Sequence, residues 1–190
     1  MTQQYSEHIS RFDGVVYREI VRFTDTRGNT SEFFNNLSLP KQFSSFTVTQ
    51  MLEATSVAGV IRGIHFSAMD NPQYKIVKCI LGSINDVIVD LRPNSSTFGQ
   101  WEVFKLSDQN SGVLFIPHGF GHAYEVLSSS ASVIYALDTG FQFEKEYSIN
   151  PLDKELSLPW TNRAHTLSEK DSNAKSFRDV CKEHLRNYPN

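Results

Sequence analysis

The chain has 190 residues, a formal net charge of −3, 39% apolar and 21% charged residues, which fits one globular domain able to bury a core without staples. The acidic balance argues against nucleic acid or an anionic membrane as the main partner, since both call for clustered Lys and Arg. Two cysteines make no disulfide framework, no run nears the roughly 18 apolar residues of a membrane span, and the polar start MTQQYSEHISRF has no leader-like apolar stretch, so the expected setting is the cytoplasm.

Taken in chain order, residues 1–14 read as a polar arm. Val15–Ile20 reads as a strand, Phe23–Gly28 as a strand end and turn, and Glu32–Asn36 as a turn of helix. Phe46–Met51 alternates at period two, the mark of a half-buried strand. Ile76–Leu81 and Ile84–Leu91 flank Gly82-Ser83 and predict a hairpin. Trp101–Leu106, Val113–Ile116, Ala123–Leu127 and Ser132–Leu137 complete the strands. Many short strands divided by turns predict a mainly β chain, a sandwich or barrel of jelly-roll type. Residues 138–175 lack strong periodicity, and loops of that length are functional or cover something. Helix is expected only over about 173–186, with Ala174, Phe177, Val180 and Cys181 on one face.

Five clusters could carry chemistry, and each has an ordinary structural reading beside the functional one. Arg62-Gly63-Ile64-His65 places a Gly where backbone can approach a ligand, or is a strand with one satisfied histidine. Lys75 could meet Asp86 across the predicted hairpin as the counter-charge a buried lysine needs, or form an edge salt bridge of little worth. Pro117–His122 is a rigid turn that presents a histidine, or a plain strand connection. Tyr135 in an apolar strand is a core tyrosine or a proton donor. Ser168 with Asp171 is a helix-start capping signal. No metal is expected, because His65 has no partner at His-x-His spacing and too few ligands converge.

The order and spacing of these clusters, together with Asp86-Val87-x-Val89-Asp90-x-Arg92, Ser96-Thr97-Phe98-Gly99-x-Trp101 and Leu167-Ser168-x-Lys170-Asp171, resemble the nucleotide-sugar epimerases typified by dTDP-4-dehydrorhamnose 3,5-epimerase, of the cupin superfamily. The resemblance runs from about Val16 to Ala174 and implies a cupin-like jelly-roll barrel with short peripheral helices and no cofactor. It implies that His65 removes the proton beside the ketone, with Asp171 as its carboxylate partner. Lys75 would stabilise the enolate oxygen, Asp86 would position that lysine, and Tyr135 would act as acid on the opposite face. Arg27, Gln50, Arg62 and His122 match positions that hold the nucleotide and its diphosphate, with Phe23 and Glu146 lining the same site. The chemistry suits these residue types. A C–H beside a ketone needs a base near neutral pH, and a fixed cation where negative charge develops.

The substrate implied is a dTDP- or CDP-linked 4-keto-6-deoxyhexose, and the implied assembly is a homodimer that exchanges the strand at Val15-Val16-Tyr17. The natural setting is deoxysugar supply for a surface polysaccharide such as an O-antigen of lipopolysaccharide. The sequence departs from the pattern at Asp138-Thr139-Gly140-Phe141, where double-inverting members carry Asp-Tyr-Tyr, and after Gln50, where Met51–Ala54 replaces a Gln-x-Asn-x-Ser pattern. These departures point to inversion at C3 alone. A sugar 3,4-ketoisomerase and a non-catalytic sugar-nucleotide binding module are the competing readings. The combined Arg-Gly-x-His, Lys75 and Asp86 disfavour the first, and the presence of His65, Asp171 and Tyr135 disfavours the second.

Overall fold

The strands of the computed structural model, which describes residues 5–68, 70–140, 142–161 and 164–185, form two facing antiparallel sheets and a separate hairpin. In chain order they are β1 (Tyr5–Ile9), β2 (Val16–Ile20), β3 (Arg22–Asp25), β4 (Gly28–Ser31), β5 (Gln50–Val57), β6 (Ile61–Ser67), β7 (Lys75–Leu81), β8 (Ser83–Asp90), β9 (Trp101–Ser107), β10 (Gly112–Ile116), β11 (Phe120–Val126), β12 (Ser130–Leu137) and β13 (Glu146–Ser148). One sheet runs β1-β2-β10-β7-β12-β5 and the other β13-β6-β11-β8-β9, while β3 and β4 pair only with each other. The chain is mainly β with a cupin-like barrel, as its residues suggest. Two short helices follow, α1 (Glu169–Ser172) and α2 (Phe177–Val180), and α2 runs on into a π turn at Cys181–Leu185.

Three apolar layers hold the sheets. Between them, Val77, Cys79, Leu114 and Val133 of the six-stranded sheet meet Ile84, Ile88, Leu106 and Val126 of the five-stranded one, all at most 2% exposed. Outside the six-stranded sheet, Phe43 and Phe46 cover Val16, Ile76, Val113 and Phe115. Outside the five-stranded sheet, Ile149, Leu156, Leu158, Phe177 and Val180 cover Ile64, Phe66, Val87 and Val89. Residues 138–175 thus do cover something, and in doing so they carry Asp171 to the barrel. The six-stranded sheet is covered on two faces, which is why β10 and most of β12 read as near-continuous apolar runs.

The structure corrects six expectations. β7 and β8 are not a hairpin within one sheet. The chain turns at Gly82 and passes from one sheet to the other. Gly82 has φ +75°, and a Cβ there would sit 2.1 Å from the Ser130 carbonyl oxygen, so only glycine fits. The first residues described are no loose arm: Tyr5–Ile9 pairs along the whole of β2. Because β2 lies between β1 and β10, Val15–Tyr17 is not an unpaired edge awaiting exchange. Glu32–Asn36 forms no helix, and the strand expected at Phe46–Met51 begins only at Gln50. The C-terminal helix is split, with Lys175 bridging to Ile149 between α1 and α2.

Asp90 shows how a motif can serve the frame. Its carboxylate is fully buried and accepts from Arg92, Ser95 and Thr97 at 2.6–2.9 Å. Burial alone would raise its pKa, yet Arg92 and the two hydroxyls hold it below the ordinary carboxylate range. Replacing Asp90 with Ala strands those donors and is expected to cost about 3 kcal/mol in urea denaturation. The native residue's contribution is fully present above the unfolded value of about 3.9 and is lost as pH falls through its lower folded value.

Candidate active site

A cavity of about 280 Å³ opens between the two sheets. Arg62 and His65 on β6, His122 and Tyr124 on β11 and Glu146 on β13 line one wall. Leu52 and Ala54 on β5, Lys75 on β7, and Tyr135 and Leu137 on β12 line the other. Strand alternation accounts for the pairs 122/124 and 135/137, but not for 62 and 65, which a regular strand would point to opposite faces. The ladder supplies the reason. His122 pairs with His65 and Tyr124 with Arg62, so β6 spends one residue more than β11 over this stretch. This β-bulge turns both side chains inward. Gly63, inside it, has φ +108°, and a Cβ would lie 2.4 Å from the His122 carbonyl oxygen. The glycine is needed for close approach to β11 rather than to a ligand.

His65 Nε2 lies 2.7 Å from Asp171 Oδ1. Asp171 is 2% exposed, and the Ser168 hydroxyl accepts from its backbone N–H, so the helix-start signal and the carboxylate partner are the same feature. Burial works against the Asp171 carboxylate, but His65, Ser168 and the Gly63 N–H together keep its pKa below the ordinary range. Lys75 is half-buried, and desolvation pushes its pKa down while Glu146 and Asp86 oppose the fall. Tyr135 has its phenol pushed well up by burial, with Tyr124 and Asp86 acting in the same direction.

The expected pairing of Lys75 with Asp86 is replaced by another. Asp86 is fully buried, and both of its oxygens stand 2.9 Å from His122 Nε2, so it holds His122 and acts on Lys75 only through space. His122 itself is 5% exposed and packs edge-on to Tyr135 with centroids 5.9 Å apart, deep in the cavity rather than at its mouth. Glu146 accepts from the Ser67 hydroxyl at 2.7 Å. Arg62 donates to the Ser56 hydroxyl at 2.9 Å and keeps an exposed side chain.

Three expected site residues do not join this cavity within the chain. Gln50 begins β5 opposite Leu137, outside the lining. Phe23 and Arg27 lie on the β3–β4 hairpin, around a separate open hollow, with Arg27 paired to Asp25 at 2.5 Å. Phe141 falls outside the described residues, and Gly140 has open space around it. Tyr124, Gln73 and Leu137 are lining residues that sequence reasoning did not single out, while Leu52, Glu53 and Ala54 belong to the stretch that departs from the family pattern. Tyr124 was accessible to it, standing two residues beyond His122 on one strand. Among the described residues, no group of three His, Cys, Asp or Glu converges as metal ligands would.

This arrangement has close counterparts. The pattern of dTDP-4-dehydrorhamnose 3,5-epimerase matches residues 10–179. The dTDP-4-dehydro-6-deoxyglucose 3-epimerase of Streptomyces bikiniensis is 33% identical over 172 residues, covering 90% of this chain and 88% of that protein. The dTDP-4-dehydrorhamnose 3,5-epimerase of Methanothermobacter thermautotrophicus is 37% identical over 170 residues, covering 88% and 91%. Among solved structures, the 4-keto-6-deoxy sugar epimerase from the novobiocin gene cluster of Streptomyces spheroides superposes with a TM-score of 0.88 at 28% identity, covering 95% of this chain and 91% of that one. A family pattern spanning nearly the whole barrel and relatives a third identical along the same length lead to one conclusion: the chain belongs to the dTDP-4-dehydrorhamnose 3,5-epimerase family.

Proposed function

We propose that this enzyme epimerises a dTDP-linked 4-keto-6-deoxyhexose at C3, by removing the proton beside the ketone on one face and returning one on the other. The observation that carries the reading is the placement of His65, backed by Asp171 at 2.7 Å, on one cavity wall and Tyr135 on the opposite wall, with Lys75 lining the same space. His65 is the base. Asp171 orients its ring through Nε2, which leaves Nδ1 to take the proton. Lys75 stabilises the enolate oxygen, a charge that exists only as the reaction proceeds. Glu146 and Asp86 support that cation. Tyr135 supplies the proton for inversion.

The cavity is at the small end of ligand sites, roughly 300–1,000 Å³, so it suits the sugar, with the nucleotide lying across the mouth. Arg62, exposed there, suits the diphosphate. Because His122 is buried against Tyr135, we assign it to the sugar end instead. The β3–β4 hairpin adds no strand to either barrel sheet, although Arg22 ties its base to Asp108 and Ser111 in the β9–β10 turn, and Phe23 is 53% exposed. A homodimer in which the hairpin reaches a neighbour's mouth would bring Phe23 and Arg27 into use, and Gln50 belongs to the same rim. No described helix is long and apolar enough to cross a membrane. The reading places the enzyme in cytoplasmic deoxysugar supply, with surface polysaccharide as the destination.

Single-centre action is supported by relatives named 3-epimerases and by Gly140, which has no side chain where the double-inverting pattern has tyrosine. The test is incubation with dTDP- and CDP-4-keto-6-deoxyglucose in heavy water, following C3 and C5 by NMR. Deuterium at C3 alone with the dTDP sugar is expected. Deuterium at both centres would overturn the single-centre reading, faster turnover of the CDP sugar would overturn the nucleotide, and no incorporation from either would overturn the epimerase reading.

A further inference from the structure

The steps above leave Tyr124 unused, although it lines the same cavity. Its side chain is 1% exposed, and its hydroxyl makes no hydrogen bond of good geometry to any described residue, with the Tyr135 hydroxyl as a polar neighbour. Buried hydroxyls are ordinarily paired, because an unpaired one loses its water and gains nothing. One that faces a cavity is completed by what forms or binds there. Across the cavity its ring meets that of Tyr135, with centroids 6.5 Å apart and planes at 38°. The two tyrosines come from different sheets, Tyr124 from β11 beside Asp86 and Tyr135 from β12.

The reaction creates a need at this point. His65 takes the carbon-bound proton, leaving its electron pair in the enolate held by Lys75. That pair returns to the carbon to bond the proton of Tyr135 on the opposite face. The turnover ends with His65 as imidazolium and Tyr135 as phenolate, and both re-equilibrate with water after product release. A phenolate is costly here, because burial, the resting Tyr124 and Asp86 all hold the Tyr135 phenol in its neutral form, so Tyr124 helps only once its O–H turns toward the new charge. His122 and Asp86 are already engaged with each other. The Tyr124 hydroxyl is the uncommitted donor on that side.

We propose that Tyr124 is a positioning residue whose O–H donates to the phenolate oxygen of Tyr135 as Tyr135 protonates the sugar carbon, an inference that rests on Tyr135 being the proton donor. Tyr124 keeps its own proton throughout. A hydrogen bond to a charged group of this kind is worth roughly 10- to 100-fold in the rate of the step that forms the charge.

The test compares Tyr124→Phe with Tyr135→Phe in heavy water, measuring loss of the C3 proton separately from appearance of the inverted sugar. Washout without inversion is observable because the His65 side chain is 33% exposed and its proton can exchange with solvent. For Tyr124→Phe the expected result is inversion slowed roughly 10- to 100-fold with washout within about twofold of wild type. Its melting temperature should be unchanged or higher, since the variant removes a hydroxyl that the resting protein leaves unpaired. Equal loss of washout and inversion, or undiminished inversion, would overturn the proposal. Inversion retained by Tyr135→Phe would overturn the Tyr135 assignment and this proposal with it, whereas inversion lost there and intact in Tyr124→Phe would overturn this proposal alone. Should the Phe variant fold poorly, 3-fluorotyrosine at position 124 offers a more acidic donor in the same shape. Inversion should then quicken relative to washout, and an unchanged ratio would count against the role.

Discussion

Replacing His65 with Asn is expected to lower turnover by about 10²–10⁴ and to abolish deuterium incorporation at every sugar carbon. The argument starts from Asp171, which is 2% exposed and would be an uncompensated buried charge if His65 were simply truncated. An Asn amide can still donate toward that carboxylate, so the variant keeps the pair's packing and loses only the base. Binding of the nucleotide should change little, because the proton at issue lies at the sugar. A calorimetric titration with dTDP showing wild-type affinity, beside NMR showing no exchange, would establish the role. Activity within tenfold of wild type would remove it. The same pair sets an acid limit on the site. Asp171 titrates below its unfolded value, so its interaction with His65 is fully present above about pH 4 and is lost as pH falls through the lower folded value.

Replacing Lys75 with Met should be nearly as damaging, with kcat/KM falling by about 10²–10³, the range for removing one preorganised donor from a developing oxyanion. Met keeps the length and apolar stem of the side chain and removes only the charge. In the resting protein that charge is a burden, since burial depresses the ammonium's pKa and Glu146 and Asp86 offset this through space. Thermal denaturation of Lys75→Met should therefore show little loss of stability, and a gain would agree with the same account. If KM rose while kcat held within threefold, Lys75 would be a binding residue for the ground state and the enolate would need another cation.

What could be read from the sequence divides along physical lines. Alternation marked which stretches are strands, because burial on one face leaves a period of two. It could not say which sheet a strand joins. β7 and β8 mix polar and apolar residues without a clean period of two, and nothing in Gly82-Ser83 distinguishes a turn within a sheet from a crossing between sheets. β1 was read as loose because Tyr5-Ser6-Glu7-His8-Ile9 is mostly polar and exposed, yet its backbone satisfies the edge of β2, and backbone pairing leaves little trace in side-chain composition. His65 and Asp171 stand 106 positions apart, and no spacing rule joins them. Their link came from the resemblance, and the layer of residues 149–185 over the five-stranded sheet supplies its physical cause. The resemblance also carried a nucleotide role to His122, which only the 2.9 Å contacts to Asp86 and its burial could redirect.

The extra residue in β6 makes the site depend on a count as well as on identities. Give β11 a matching extra residue between His122 and Tyr124, and the two strands could run in regular register over this stretch, with Arg62 and His65 still three positions apart. One of the two side chains would then face away from the cavity, since the pleat carries neighbouring positions to opposite sides. Such a chain would keep every residue named in the chemistry and still be inert. A comparison that scores only which residues are conserved would pass it. The discriminating fact is the difference of one residue between the paired strands over this stretch.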